Sequence, residues 1–227
     1  MSTYVLVHGG WDGGWAWRQV ARELQSSGHE VFTPTLTGSG ERVHLASPAV
    51  GLDTHILDVV NVFRYENLSE VILVGFSYGG MVITGVAEQV PEQIGQLIYL
   101  DAFVPEDGQS AADLSGPEIT GVMEQIAQSY GDGWRIPHNP PDADRRTNLL
   151  LKAAHQRLTV NNPQARRLKH SYVQFTAKPP EDFTRPIMAR MAARVRQEGW
   201  TYREMPFGHF PLLDEAQAVA RLLLELV

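Results

Sequence analysis

The apolar positions of the chain alternate between two spacings. Short runs of β-type composition fall at Tyr4 to Val7, Val31 to Leu36, the first half of Val71 to Gly80, Gln96 to Phe103, Ser171 to Thr176 and Trp200 to Met205. Between them, apolar residues return every three or four positions at Trp15 to Leu24, Leu52 to Phe63, Met81 to Val90, Pro186 to Gln197 and Glu215 to Leu226. Brief apolar runs suit buried strands, and the longer spacing suits helices with one apolar face. Strand and helix in alternation predict an α/β fold: a mostly parallel six-stranded sheet with helices on both faces. One stretch breaks the rhythm. From Pro105 to about Lys169, glycine, proline and acidic residues alternate with helical patches at Glu118 to Tyr130 and Asp142 to Leu158, and Pro137 to Pro141 forms a proline-rich loop. The expected organisation is a core of residues 1–104 and 170–227 carrying a helical insertion at 105–169.

In such sheets ligands bind beyond the carboxyl ends of the strands, so the chemistry is sought there. The run Val71 to Gly80 reads VILVGFSYGG, and Gly75-Phe76-Ser77-Tyr78-Gly79 fits G-x-S-x-G, a sharp strand-to-helix turn that lifts a serine hydroxyl above the sheet. The serine at the tip is held in a strained conformation, and glycines two before and two after it remove colliding side chains. The following N–H of Tyr78, at a helix N-terminus, is a candidate donor to an oxyanion. After the first strand, His8-Gly9-Gly10 makes a loop without side chains at two positions, and the N–H of Gly10 is the second candidate donor. Losing one such donor typically costs about 3 kcal/mol of transition-state stabilisation.

A serine needs a base, and His209 is the candidate, in the Gly208-His209-Phe210-Pro211 loop between the last strand and the last helix. His8 reads as structural, and the remaining histidines precede the serine or sit in or beside the insertion. No pair of them has a metal-helix spacing, so no metal site is expected. Trp11, Trp15 and Trp17 flank the glycine loop; Trp11 is a candidate pocket wall, although aromatic residues on a helix more often pack in the core. Composition narrows the field further. The 227 residues suit one domain, and a formal charge of −7 with no basic run gives no footprint for nucleic acid or an anionic membrane. Without cysteine there is no thiolate nucleophile. The opening MSTYVLVHGG has neither a charged start nor a long apolar run, so a cytoplasmic location is expected, and a homodimer stays open.

With these pieces in place, the chain resembles an α/β-hydrolase along its whole length, and within that superfamily the compact group of plant methyl-ester esterases, hydroxynitrile lyases and their bacterial esterase relatives. The stretches that carry the likeness are VLVHGGWDGGWAWRQVA, LTGSGERVHLA, GFSYGGMVITGVA and YLDAFVPEDGQS. The resemblance implies a cofactor-free serine esterase acting on small-molecule esters, often with a bulky or aromatic acid part, and makes the insertion a helical cap over the pocket. Two departures stand out. The lyases carry lysine after the catalytic histidine and threonine at the position of Gly9; here Phe210 follows His209, which argues against cyanohydrin cleavage and for a more apolar pocket rim. Gly9, Trp11 and Phe210 are therefore the expected substrate contacts.

The acid that orients His209 has two candidates. Most α/β-hydrolases place it after the strand read at Ser171 to Thr176, where this chain has Ala177-Lys178-Pro179-Pro180-Glu181-Asp182, and Glu181 falls at the plant aspartate's position. Asp101 lies near the end of the apolar strand LIYLDAF, where a carboxylate buried without a partner is costly. Some α/β-hydrolases, and the bacterial esterases this chain resembles, keep an acid at that strand end. Asp101 is preferred and Glu181 is the alternative. Lactone hydrolysis would use the same parts, and a non-hydrolytic ligand-binding or tailoring protein on this fold is the rival of a different class.

Overall fold

The computed structural model describes residues 1–138 and 145–227. Six strands form the central sheet: β1 (Thr3–Val7), β2 (Glu30–Phe32), β3 (Val71–Phe76), β4 (Ile94–Leu100), β7 (Lys169–Phe175) and β8 (Thr201–Met205). Their order is β2-β1-β3-β4-β7-β8, and every neighbouring pair is parallel. The strand order reverses between β1 and β3, which opens a crevice at their carboxyl ends. Residues alternate between the two faces. Tyr4 and Leu6 pack with Trp17, with Val20 and Leu24 of α1 (Arg18–Ser26) and with Val219 and Leu223 of α8 (Ala216–Glu225). Val5 and Val7 pack on the opposite face with α2 (Leu52–Tyr65), α3 (Gly79–Gln89) and α7 (Thr184–Gln197). The three- to four-residue spacing read in each of these helices is thus the imprint of one sheet face.

Several strand and helix limits differ from the sequence reading by one to four residues, as with the strand read at Gln96 to Phe103, which ends at Leu100 and leaves Asp101 in the loop, and two of them lie beside the glycine loop. The second strand ends at Phe32 rather than Leu36, because the chain there turns across the glycine loop: the Leu36 N–H donates to His8 Nε2 (3.1 Å) and the Gly14 N–H to Thr35 Oγ1 (2.9 Å). The helix expected from Trp15 begins as one 3₁₀ turn, Gly14–Trp17, before α1.

Between β4 and β7 the insertion holds α4 (Ala111–Ser115), α5 (Pro117–Tyr130), a two-stranded antiparallel hairpin of β5 (Arg135–Ile136) and β6 (Leu149–Leu150), and α6 (Leu151–His155). The helix expected from Glu118 is α5. The one expected over Asp142 to Leu158 is reduced in its described part to α6, and residues 139–144, with most of the proline-rich loop, lie outside the described residues. Thr147 donates its N–H to Trp11 O (2.8 Å) and Leu149 and Leu150 pair with β5, so the backbone groups a helix would use are committed elsewhere. Only the five residues of α6 remain helical. Among the described residues no helix is long and apolar enough to cross a membrane.

Candidate active site

Ser77 sits at the β3–α3 turn with φ +52°, in the left-handed region that residues with a Cβ seldom adopt. The turn is held from both sides: the Ser77 N–H donates to Leu100 O (3.2 Å), and its carbonyl accepts from the N–H groups of Gly80 and Phe103 (3.1 Å each). Two glycines make this geometry possible for different reasons. A Cβ on Gly75 would lie 2.7 Å from Gly79 O, inside the turn itself, whereas one on Gly79 would lie 2.7 Å from Val7 O of β1. The turn is therefore packed against itself and against the neighbouring strand.

Three side chains converge at this sheet edge. The Ser77 hydroxyl lies 3.0 Å from His209 Nε2, and His209 Nδ1 lies 2.6 Å from Asp101 Oδ2. In the tautomer these partners select, Nδ1–H donates to the carboxylate and Nε2 accepts from the hydroxyl. Asp101 follows β4 at φ +45°, is 0% exposed, and receives a further hydrogen bond from the Phe175 N–H (3.1 Å). His209 is wedged between the rings of Phe76 and Phe210, with centroids 5.1 and 4.9 Å away. Glu181 is exposed on the loop after β7, and its neighbour Asp182 accepts a hydrogen bond from the Thr184 N–H (2.8 Å) at the start of α7. The geometry brings Asp101, not Glu181, to the histidine.

One partner escaped the sequence reading. Lys178 Nζ donates to both oxygens of Asp101 (2.7 and 2.6 Å) from the loop after β7, with its side chain only 2% exposed. The signal was present: a carboxylate at the end of an apolar strand accepts several hydrogen bonds, and one histidine leaves most of that capacity unfilled.

A cavity of about 50 Å³ opens beside Ser77, room for a few waters. Gly10, Tyr78 and His209 line it next to the serine, and Trp11, Phe103, Met123, Leu149, Ile187 and Phe210 are among its apolar walls. Gly9 is set behind this surface: a Cβ there would meet the Phe76 ring at 3.0 Å and the Ser77 Cβ at 3.1 Å. Trp11, in a loop at φ +66° rather than on a helix, donates its indole N–H to Ile136 O (2.9 Å); Trp17 is the core tryptophan of the three. Phe210 carries the Arg146 guanidinium over its ring at 4.6 Å, and Arg146 Nε donates to buried Asp12 Oδ1 (3.1 Å). Burial pushes the Asp12 carboxyl up, with Arg146 opposing.

Two buried histidines brace the site without touching Ser77 or Asp101. His8 bonds Gly9 O through Nδ1–H (2.8 Å) while its Nε2 accepts from Leu36, and burial pushes it down to about 4. His55 donates Nε2–H to Thr37 O (3.0 Å) and accepts from the Tyr78 hydroxyl at Nδ1 (2.9 Å); burial lowers it too. His155 lines the cavity and faces Glu124 (3.3 Å).

A parallel sheet with its crevice at the β1–β3 reversal, and a serine, aspartate and histidine on the loops after β3, β4 and β8, define an α/β hydrolase. The chain belongs to the alpha/beta hydrolase family, whose profile matches residues 4–222. It is 56% identical over 110 residues to a carbendazim hydrolyzing esterase of Nocardioides sp. (strain SG-4G), a match covering 48% of this chain and 46% of that protein. It is 25% identical over 248 residues to putative methylesterase 13, chloroplastic, of Arabidopsis thaliana, covering 99% of this chain and 56% of that one. The chain thus spans about half the length of these curated relatives. An extracellular alpha/beta-hydrolase from a Paenibacillus species has the same fold, with a TM-score of 0.84 at 24% identity over 99% of this chain and 98% of the other.

Proposed function

We propose that this protein is a serine esterase that cleaves a carboxylic ester through an acyl-enzyme. The observation that carries the reading is the relay of Ser77, His209 and Asp101 at 3.0 and 2.6 Å, opening onto an apolar cavity. Ser77 Oγ attacks the ester carbonyl as His209 Nε2 takes its proton. The N–H groups of Gly10 and Tyr78 receive the oxyanion. Collapse of the tetrahedral intermediate breaks the bond to the alkoxy group, which leaves with the proton from His209, and a water deprotonated by the same imidazole then releases the acid. Relatives named as esterases support ester cleavage, and those named as methylesterases support a small alkoxy leaving group.

Residues 105–169 are proposed as a cap over the site, since Met123, Ile136, Leu149 and Leu151 supply much of the cavity wall. With about 50 Å³ free, a bulky or aromatic acyl group fits only when these side chains move, so the cap sets acyl preference. The formal charge of −7 is consistent with small neutral substrates rather than nucleic acid, and a cytoplasmic location and a homodimer are parts of the reading to be tested by fractionation and sedimentation.

The deciding experiment is stopped-flow hydrolysis of 4-nitrophenyl acetate with mass detection of the acyl adduct. A 4-nitrophenol burst with acetyl on the Ser77 peptide is expected from the wild type, and neither from Ser77→Ala. Turnover by a folded Ser77→Ala protein would overturn the serine mechanism.

A further inference from the structure

Lys178 is a charged group bonded directly to the proposed triad that the mechanism above does not use. Its ammonium is out of water and bonded to both oxygens of a fully buried carboxylate. Stability is a poor explanation for such a pair, because desolvating two charges consumes most of their attraction, and apolar replacements of the same volume often fold at least as well. The arrangement of the four hydrogen bonds on Asp101 is more specific. Oδ1 accepts from the Phe175 N–H and from Lys178, and Oδ2 accepts from Lys178 and from His209 Nδ1. A carboxylate offers about four lone-pair sites, so all of them are used. The Phe175 amide and the ammonium together fix the carboxylate plane, and the site left over on Oδ2 is the one aimed at the imidazole. During reaction His209 becomes positive, and the carboxylate that answers that charge is the one Lys178 already holds.

We propose that Lys178 is a positioning residue of the esterase: it clamps Asp101 so that Oδ2 stays on His209 Nδ1, and it acts on turnover only through that carboxylate. This rests on the proposed serine mechanism. It makes the working unit four side chains, with the loop after β7 supplying a cation that holds the acid from β4.

The test is a double-mutant cycle on 4-nitrophenyl acetate hydrolysis. Lys178→Met, of similar length and without charge, is expected to lower kcat at least about tenfold while KM stays within about twofold, since the cavity wall is untouched. In an Asp101→Asn background the same substitution is expected to cost no further activity, because the clamped group is gone. Equal losses in both backgrounds, or a kcat within twofold of wild type, would overturn the proposal. Ser77→Ala, run alongside, separates the two levels: activity surviving there sinks the serine mechanism, whereas activity lost there but untouched by Lys178→Met sinks only the role of Lys178. If Lys178→Met does not fold, the wild type carries the test. Phosphonylation of Ser77, followed by loss of the adduct's alkoxy group, leaves a monoanionic phosphonate beside His209 that draws a proton onto it, and the ¹⁵N resonance of the Lys178 ammonium should shift on modification. An unmoved resonance would overturn the coupling.

Discussion

At the scale of single residues, the two candidate acids, Asp101 and Glu181, differ first in burial. Both are carboxylates near the carboxyl end of the sheet, but one is fully buried and bonded by three groups, while the other is on the surface with Asp182 beside it bonded to Thr184. Asp101→Asn is the informative substitution. Asparagine tolerates the left-handed φ of +45° that most side chains resist, so the turn should survive, but an amide NH₂ facing Nδ1 selects the wrong imidazole tautomer. We expect kcat to fall by roughly 10³- to 10⁴-fold with near-native circular dichroism. Glu181→Gln, an exposed change, should stay within about threefold of wild type. The opposite ranking in a side-by-side kinetic comparison would transfer the acid's role to Glu181. Asp101 was legible beforehand because an acid at the end of LIYLDAF needs a partner. Lys178 was not, because a lysine followed by two prolines reads as an exposed loop until the fold turns it inward.

Among elements, the strand–turn–helix at Val71 to Gln89 and the insertion sit at opposite ends of legibility. The turn is a local object: its glycines, its apolar strand and its helix lie within twenty residues, and its constraints are steric. A methyl group on Gly75 would meet backbone at 2.7 Å, where nothing flexible can yield. Gly75→Ala should therefore destabilise by about 1–3 kcal/mol, read as a lower urea midpoint at unchanged slope. It should also lower kcat, because the serine moves with the turn; an unchanged midpoint would mean that the turn relaxes freely. The insertion is organised by distant partners instead. Leu149 and Leu150 look helical in company with Leu151 and Ala153, yet they pair with Arg135 and Ile136, and Thr147 is bonded to Trp11. No local spacing encodes a bond across that distance, which is why α5 was readable and the hairpin was not. The same packing gives the insertion its expected role. Shrinking Met123 and Leu149 together should raise kcat/KM for aryl benzoates relative to 4-nitrophenyl acetate, and an equal change on both esters would count against acyl selection by this wall.

For the molecule as a whole, the glycine loop, the segment leaving β2 and the start of α3 are joined by two imidazoles, and both work only when neutral. His8 uses one ring nitrogen as donor to Gly9 O and the other as acceptor from the Leu36 N–H; His55 does the same between Thr37 O and the Tyr78 hydroxyl. Protonation removes the acceptor in each case and places a charge in a dry interior. Burial accordingly holds His8 down to about 4 and lowers His55 as well. In the unfolded chain a histidine titrates near 6.5, so between about 6.5 and 4 the unfolded state binds the proton that the folded state refuses. The contribution of His8 to stability is therefore complete above that window and is lost as the pH falls through it. Its size, from a displacement of about 2.5 units, is on the order of 3 kcal/mol. Asp12 acts in the opposite sense: its carboxyl, raised by burial, binds a proton more readily in the folded state, and so offsets part of the loss at the acid end. The difference between wild type and His8→Gln isolates the histidine from this background, since glutamine keeps a donor and an acceptor but does not titrate. Urea unfolding from pH 7 to 4 should show the wild type losing about 3 kcal/mol more than the variant, although the variant starts from a lower stability. Parallel declines for the two proteins would mean that His8 is charged in the folded state and that the bond from Leu36 is not what holds the glycine loop beside Ser77.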